Sequence, residues 1–243
     1  MIEQIVNSKK IKAGIIGGAG YTGGEMLRIL VNHPNVEIAF VNSTSNAGNL
    51  ISDVHTDLIG DTDLKFTSDI PQDIDVLFLC VGHGDAKKFL AVNPINENIK
   101  IIDLSQDFRL IANAKLENRD FVYGLPELNR DAIKNAKNIA NPGCFATCIQ
   151  LGLDLSLEEA QNIYEDYYSA HPFTHVSRKN IDLKQVVNTN KALVHIEKHG
   201  NKLFIISAID NLLKGASGQA VQNMNLMFGL EENSGLRLKA ANF

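Results

Sequence analysis

Three of the 243 residues are cysteines, Cys80, Cys144 and Cys148, and one of them sits where a thiol becomes reactive. In Asn141-Pro142-Gly143-Cys144 the proline and glycine interrupt the preceding chain and put Cys144 in the first turn of a helical run to Leu153. Aligned peptide dipoles at a helix start favour the thiolate over the thiol, and with it nucleophilic attack. Cys148, one turn further on, and Cys80, inside the apolar run 76–81 (VLFLCV), read as packing residues of the core. An odd, sparse set of cysteines argues against a disulfide framework and for a reducing compartment.

A second chemistry-bearing stretch is Gly17-Gly18-Ala19-Gly20-Tyr21-Thr22-Gly23, between an apolar run and a segment of helical spacing. A glycine at the strand end permits the tight turn, Gly20 lets the backbone approach a pyrophosphate, and Gly23 lets helix and strand pack closely. The helix start then offers unpaired N–H groups and partial positive charge to phosphates. Alone, such a motif is weak; following the first strand of an alternating strand–helix pattern, it predicts dinucleotide binding. The second strand ends in Asn42-Ser43-Thr44-Ser45, without the carboxylate that holds a ribose 2′-hydroxyl in NAD sites. Hydroxyls and backbone amides hold a 2′-phosphate without repelling it, so NADP is the expected cofactor.

These residues need a scaffold that brings strand ends together. Continuous apolar runs at 13–17, 36–42, 76–81 and 101–104 predict strands buried on both faces, with helical patterns at 23–32 and 84–92 between them. That alternation implies a parallel sheet with right-handed crossovers. Beyond residue 155 the pattern changes to a helix at 157–169 capped by Ser156, a hairpin of 194–198 and 202–209 around residues 199–201, and a helix at 215–228 opened by small residues. The expected fold class is α/β: a Rossmann-like doubly wound parallel sheet with a reduced α+β second domain. Hydrophobic content of 44%, charged content of 21% and a net charge of −5 give no reason to expect nucleic acid as a partner. No apolar run reaches the roughly 18–20 residues of a membrane span, and residues 1–12 lack an apolar signal core. A cytoplasmic protein is expected.

Five segments occur in a telling order: Gly17 to Gly23 with Glu25; Asp103-Leu104-Ser105; Tyr123-Gly124-Leu125-Pro126-Glu127-Leu128; Asn141 to Cys144; and Asp210-Asn211-Leu212-Leu213-Lys214-Gly215-Ala216. Together they resemble the N-acetyl-gamma-glutamyl-phosphate reductases, NADPH-dependent enzymes of arginine biosynthesis. The Tyr-Gly-Leu-Pro-Glu segment separates that family from the aspartate-semialdehyde dehydrogenases, which share its fold and cysteine logic. The resemblance implies that the Cys144 thiolate attacks an acyl phosphate and expels phosphate, leaving a thioester. Hydride from NADPH then yields a thiohemiacetal that collapses to the semialdehyde. It further implies a cofactor site lined by Gly17, Gly18, Ala19, Gly20, Tyr21, Thr22, Gly23, Ser43, Thr44, Ser45, Gly82, His83 and Ser105. Asn211, Gly215 and Gly218 would return the chain to the nicotinamide end. No metal is expected. Lys214 reads either as a lysine that helps hold a phosphate or, as is more frequent, as a surface lysine at a helix start, and a homo-oligomer is implied.

The sequence departs from the family in one place. Between the cysteine helix and the helix at 157, family members carry a Gly-Ser-Thr-Gly-Ala-Gly run, a His-Phe-Ser segment, and a Tyr-Lys followed by His-x-His. Here residues 151–156 join the two directly. The missing stretch holds the family's base histidine, whose help is typically worth about 10²–10⁴-fold, and its substrate-binding arginine. His171, His175, His195 and His199 are expected to be solvated or structural. The implied organisation is a dinucleotide-binding domain at 1–155, a truncated substrate and dimerisation domain at 156–210, and a returning helix at 211–243. Lost strands would leave edges and apolar faces that invite association. The readings that remain are a reductase with a compact second domain, an NADP-binding protein without turnover, an incomplete chain, and a related semialdehyde dehydrogenase.

Overall fold

The structure, a computed structural model, describes residues 9–143, 156–200 and 202–240. The helical run expected to begin at Cys144, with Cys148, therefore lies outside the described residues.

Strand β1 (Ile11–Ile16) is apolar at five of six positions and buried along most of its length. It pairs in parallel with β2 (Val36–Asn42) on one side and with β4 (Val76–Leu79) on the other. Outside β2 lies the two-residue β3 (Phe66–Thr67). Beyond β4 come β5 (Lys100–Asp103), β8 (Asn138–Ala140), β7 (Arg119–Tyr123) and the antiparallel β6 (Lys115–Leu116). The sheet order among the described residues is β3-β2-β1-β4-β5-β8-β7-β6. The chain thus winds outward from β1 in one direction and resumes at β4 in the other, which opens a crevice at the carboxyl ends of these two strands.

Both faces are covered, as continuous apolar strands require. Helix α1 (Tyr21–Leu30) buries Met26, Leu27, Ile29 and Leu30 on one face, with Ile133 from α3 (Pro126–Asn135) and Val221 and Met224 from α5 (Gly218–Met227). Helix α2 (Asp85–Val92) covers the other face beside Leu77, Leu79 and Phe108. The second sheet has the order β11-β10-β9 and comprises β9 (Thr174–Ser177), β10 (Ala192–His199) and β11 (Lys202–Ile209). Helix α4 (Leu157–Tyr168) packs on it through Ala160 and Tyr164 against Val194, Ile196, Leu203 and Ile205.

The predicted hairpin is present in register His199↔Lys202, with Gly200 at φ +62° in its turn. The Ser156 cap is present as a reciprocal pair: Glu159 N–H donates to Ser156 Oγ at 3.2 Å and Ser156 N–H to Glu159 Oε2 at 3.0 Å. The last helix differs from expectation. Before α5, residues Leu213–Ser217 form a wider π turn, with Gly215 N–H donating to Asp210 O at 2.9 Å and Ser217 N–H to Leu212 O at 2.7 Å. That wider turn rotates Lys214 inward. Its side chain is fully buried, ion-paired to Glu127 at 2.8 Å, so the reading of Lys214 as a surface lysine is corrected.

Candidate cofactor and nucleophile site

The glycine turn closes the crevice at the end of β1. Gly17 has φ +77°, and a Cβ there would lie 2.5 Å from the Cys80 carbonyl oxygen, so glycine is required by both backbone and packing. Gly20 is different. Its φ is −83°, and a Cβ would meet only the Gly17 oxygen, at 3.5 Å. No described residue demands glycine there, which leaves the space above it open to a ligand. Helix α1 starts at Tyr21 with no side-chain cap and no acidic residue in its first turn, and the Ala19 N–H has no acceptor among the described residues. An uncapped helix start beside an open backbone fits a pyrophosphate.

Past β2 the expected 2′-phosphate residues form a cluster. Asn46 Nδ2 donates at 3.1 Å both to Ser43 Oγ and to Ser45 Oγ, which lie 3.5 Å apart. No carboxylate stands among residues 42–50. Ser43 is buried and Thr44 and Ser45 exposed, so the cluster is anchored at one end and open at the other. Asn46 was not picked out from sequence; an amide among hydroxyls is an ordinary loop composition until its bonds are seen.

Other expected residues are brought to the same strand ends. His83 Nδ1 accepts the Gln106 N–H at 3.1 Å, and Asp107 Oδ1 and Oδ2 accept the N–H groups of Gly84 and Lys87 at 2.6 and 3.1 Å. Asp107 thereby caps α2, whose own N-cap is a glycine. Ser105 does not present its hydroxyl to the crevice. It is fully buried and donates to Asp103 Oδ2 at 2.8 Å while accepting the Asp107 N–H. Burial pushes the Asp103 carboxyl up to about 6, against the pull of the Ser105 N–H and hydroxyl. The Thr22 hydroxyl is likewise turned inward, to Cys80. Burial pushes the Cys80 thiol up to about 12, so it stays an unreactive core thiol as the sequence implied.

The residues leading into Cys144 are held from three sides. Asn141 N–H donates to Asp103 O, Asn141 Nδ2 donates to Ala216 O at 3.0 Å, and Asn223 Nδ2 donates to Asn141 Oδ1 at 3.0 Å. Ser217 Oγ donates to Thr22 O at 2.9 Å, so the returning π turn joins both the glycine turn and the pre-cysteine loop. Gly215 and Gly218 are buried in that junction and Asn211 is exposed. One cation is present that sequence reading missed. Arg109 Nε donates to Asn141 O at 2.8 Å and Nη2 to Leu104 O at 2.9 Å, and Nη1 lies against Gly143. It lines a cavity of about 510 Å³ with Gly84, Lys87, Gln106, Asp107, Leu110 and Asn113. An arginine just after the end of β5 was the available signal. Cys144 itself lies outside the described residues.

A family model of the NAD-binding domain of semialdehyde dehydrogenases matches residues 12–136, and one of their dimerisation domain matches residues 140–211. The N-acetyl-gamma-glutamyl-phosphate reductase of Phocaeicola vulgatus is 46% identical over 325 aligned positions, covering 96% of this chain and all of that relative. That of Bacteroides thetaiotaomicron is 47% identical with the same coverage. The chain belongs to the N-acetyl-gamma-glutamyl-phosphate reductases. As a member of that reductase family it carries the NAD-binding domain on the glycine turn described above. The aligned span exceeds the 243 residues of the chain, so its fellow reductases hold interior residues with no counterpart here. Two solved structures share the fold: aspartate semialdehyde dehydrogenase II of Vibrio cholerae (TM-score 0.63, 14% identity, 91% of this chain and 99% of that one) and aspartate semialdehyde dehydrogenase of Candida albicans (TM-score 0.61, 12% identity, 90% and 99%). Among the described residues no helix is long and apolar enough to cross a membrane, and no group of side chains could hold a metal ion.

Proposed function

We propose that this chain reduces N-acetyl-gamma-glutamyl phosphate to its semialdehyde with NADPH, releasing phosphate, and that Cys144 carries the acyl group. The observation behind this reading is Gly20, a glycine that packing among the described residues does not require, set at an uncapped helix start in the crevice of a doubly wound sheet. The pyrophosphate of NADPH would rest on residues 17–23 and its 2′-phosphate on Ser43, Thr44, Ser45 and Asn46. Gly82, His83 and the backbone at Ser105 form the adjoining walls, with Asn211, Gly215 and Gly218 on the returning segment. The chemistry NADPH supplies when bound is hydride.

Cys144 follows directly in sequence on Gly143, and it is Gly143 that lies against Arg109. The Cys144 sulfur would form the C–S bond as the bond from carbonyl carbon to phosphate oxygen breaks, the electron pair leaving with phosphate. The Arg109 guanidinium supports that departure by offering fixed positive charge where the anion develops. We assign residues 1–155 to the cofactor domain, 156–210 to a reduced substrate and dimerisation domain and 211–243 to the returning segment, in a cytoplasmic homo-oligomer.

A second reading, NADP binding without turnover, is favoured by the interior residues that the relatives have and this chain lacks. His195, in β10, has Nδ1 2.9 Å from Ser177 O, and Arg130 Nη2 lies 3.0 Å from His171 Nδ1, so both rings are already engaged by other partners. Phosphate-dependent reduction of NADP by N-acetylglutamate semialdehyde, run beside a direct NADPH titration, separates the two. Turnover supports the reductase, and binding without turnover supports the second reading. No NADPH binding removes both. Cys144→Ala is expected to abolish turnover and leave NADPH affinity unchanged.

A further inference from the structure

His55 touches the glycine turn from outside it. The residue lies between two short 3₁₀ turns, Ile51–Asp53 and Thr56–Leu58, which Ile51 and Leu58 anchor in the core. Its Nε2 is 2.7 Å from the Gly18 carbonyl oxygen. A carbonyl only accepts, so Nε2 carries the proton and donates. The ring lies over the first turn of α1, where a Cβ on Gly24 would come within 2.5 Å of Cε1 and 2.6 Å of Nδ1. It also packs against Phe66, with ring centroids 6.3 Å apart. Gly24 is therefore glycine to admit this ring.

In a trans peptide the C=O and the following N–H point in opposite directions. Fixing the Gly18 carbonyl on His55 thus fixes the Ala19 N–H facing the other way. Gly18 N–H is spent on Asn42 O at 3.0 Å and Gly20 N–H on Gly17 O at 3.2 Å. Among the described residues Ala19 N–H is left without an acceptor, as are the Tyr21 and Thr22 N–H groups that open α1. We propose that His55 is a positioning residue for the dinucleotide, holding the Gly18–Ala19 peptide so that its N–H is presented to the pyrophosphate. This rests on the NADPH reading above and deepens it, since it names the part of the cofactor concerned.

The test is titration of the full chain with NADPH and, separately, with adenosine 2′-monophosphate, which has the 2′-phosphate and adenine but no pyrophosphate. His55→Phe keeps a ring over Gly24 and removes the donor; NADPH affinity should fall roughly tenfold, the worth of one lost hydrogen bond, with adenosine 2′-monophosphate unchanged. His55→Gln, which restores an N–H donor, should recover most of the loss. Equal losses for both ligands, or NADPH affinity in His55→Phe equal to the parent's, overturns the proposal. If His55→Phe does not fold, Gly24→Ala, which displaces the ring, must give the same selective loss or the proposal fails. A parent chain that binds neither ligand would overturn the cofactor reading itself, a result distinct from either pattern among the variants.

Discussion

Asp103 shows how much a single residue at this site costs the fold. Its carboxyl is fully buried at the end of β5, and burial raises it to about 6 from 3.8, offset in part by the N–H and hydroxyl of Ser105. The unfolded chain therefore releases this proton before the folded one does. Its contribution favours the fold below about pH 4 and is lost as pH rises through the window from 3.8 to about 6, a change of about 3 kcal/mol. Asp103→Asn cannot ionise, so the variant's stability should fall less across that window when unfolding is followed in urea. An identical decline in parent and variant would show that Asp103 does not titrate there. The site keeps this carboxylate because Ser105 and, through it, the Asp107 loop are ordered by its oxygens.

Among the elements, those with unambiguous periodicity were legible in the sequence. β1, β2, β4 and β5 announced themselves as continuous apolar runs, and α1 and α4 by spacing and, for α4, its Ser156 cap. Missed were β8, three residues long, β7, whose RDFVY mixes charge into a short strand, and β9, which pairs in parallel with β10 across a long connection. Helix α3 was hidden because PELNRDAIKN is mostly polar and, of its apolar residues, buries only Pro126 and Ile133. Within the candidate site, the glycine turn was legible because its glycine spacing follows from the strand–turn–helix geometry. Arg109, Asn46 and His55 were not, because their roles depend on contacts with residues 32, 3 and 37 positions away. The turn also yields a sharp test of the cofactor reading. Gly20→Ala meets no protein atom closer than 3.5 Å and has a permitted φ, so the melting temperature should hold or rise slightly. NADPH affinity should fall by at least tenfold, because the added methyl occupies the space assigned to the pyrophosphate. Unchanged affinity in a stable variant would move the phosphate site elsewhere.

At the scale of the whole molecule, the two sheets are tied by a buried polar junction. Glu127 Oε1 on α3 accepts from Lys214 Nζ at 2.8 Å and from Thr174 Oγ1 of β9 at 3.1 Å, while Lys214 also donates to Gln222. Arg130 pairs with Glu232 and with His171 nearby. Burial pushes the Glu127 carboxyl up, but Lys214 and the Thr174 hydroxyl together hold it below its ordinary value. Its stabilisation is thus present above the unfolded carboxylate range and lost as pH falls through the depressed value. Glu127→Gln leaves Lys214 buried without its counter-charge and should cost about 3–5 kcal/mol in chemical denaturation; a loss within experimental error would mean that Lys214 is neutral in the fold. The small sheet raises a further question, about what covers its outer face. Along β11, Leu203 and Ile205 face α4, and the alternate residues Phe204 and Ile206 point away, 50% and 42% exposed. Two large apolar side chains on β11, the edge strand of the three-stranded sheet among the described residues, expose surface that association would bury. They fall within the segment matched by the family's dimerisation domain. A second copy covering this face predicts that Phe204→Lys with Ile206→Lys shifts the chain toward monomer in sedimentation, while the monomer still folds with a melting temperature only slightly lowered. Both substitutions leave the α4 side of the strand intact; within the chain they cost the edge-on contact of Phe204 with the His199 ring, 5.1 Å between centroids, and the cover Ile206 gives His195 across the strand pair. Association as strong as the parent's would place the contact elsewhere on the chain and leave Phe204 and Ile206 with their neighbours in the sheet alone.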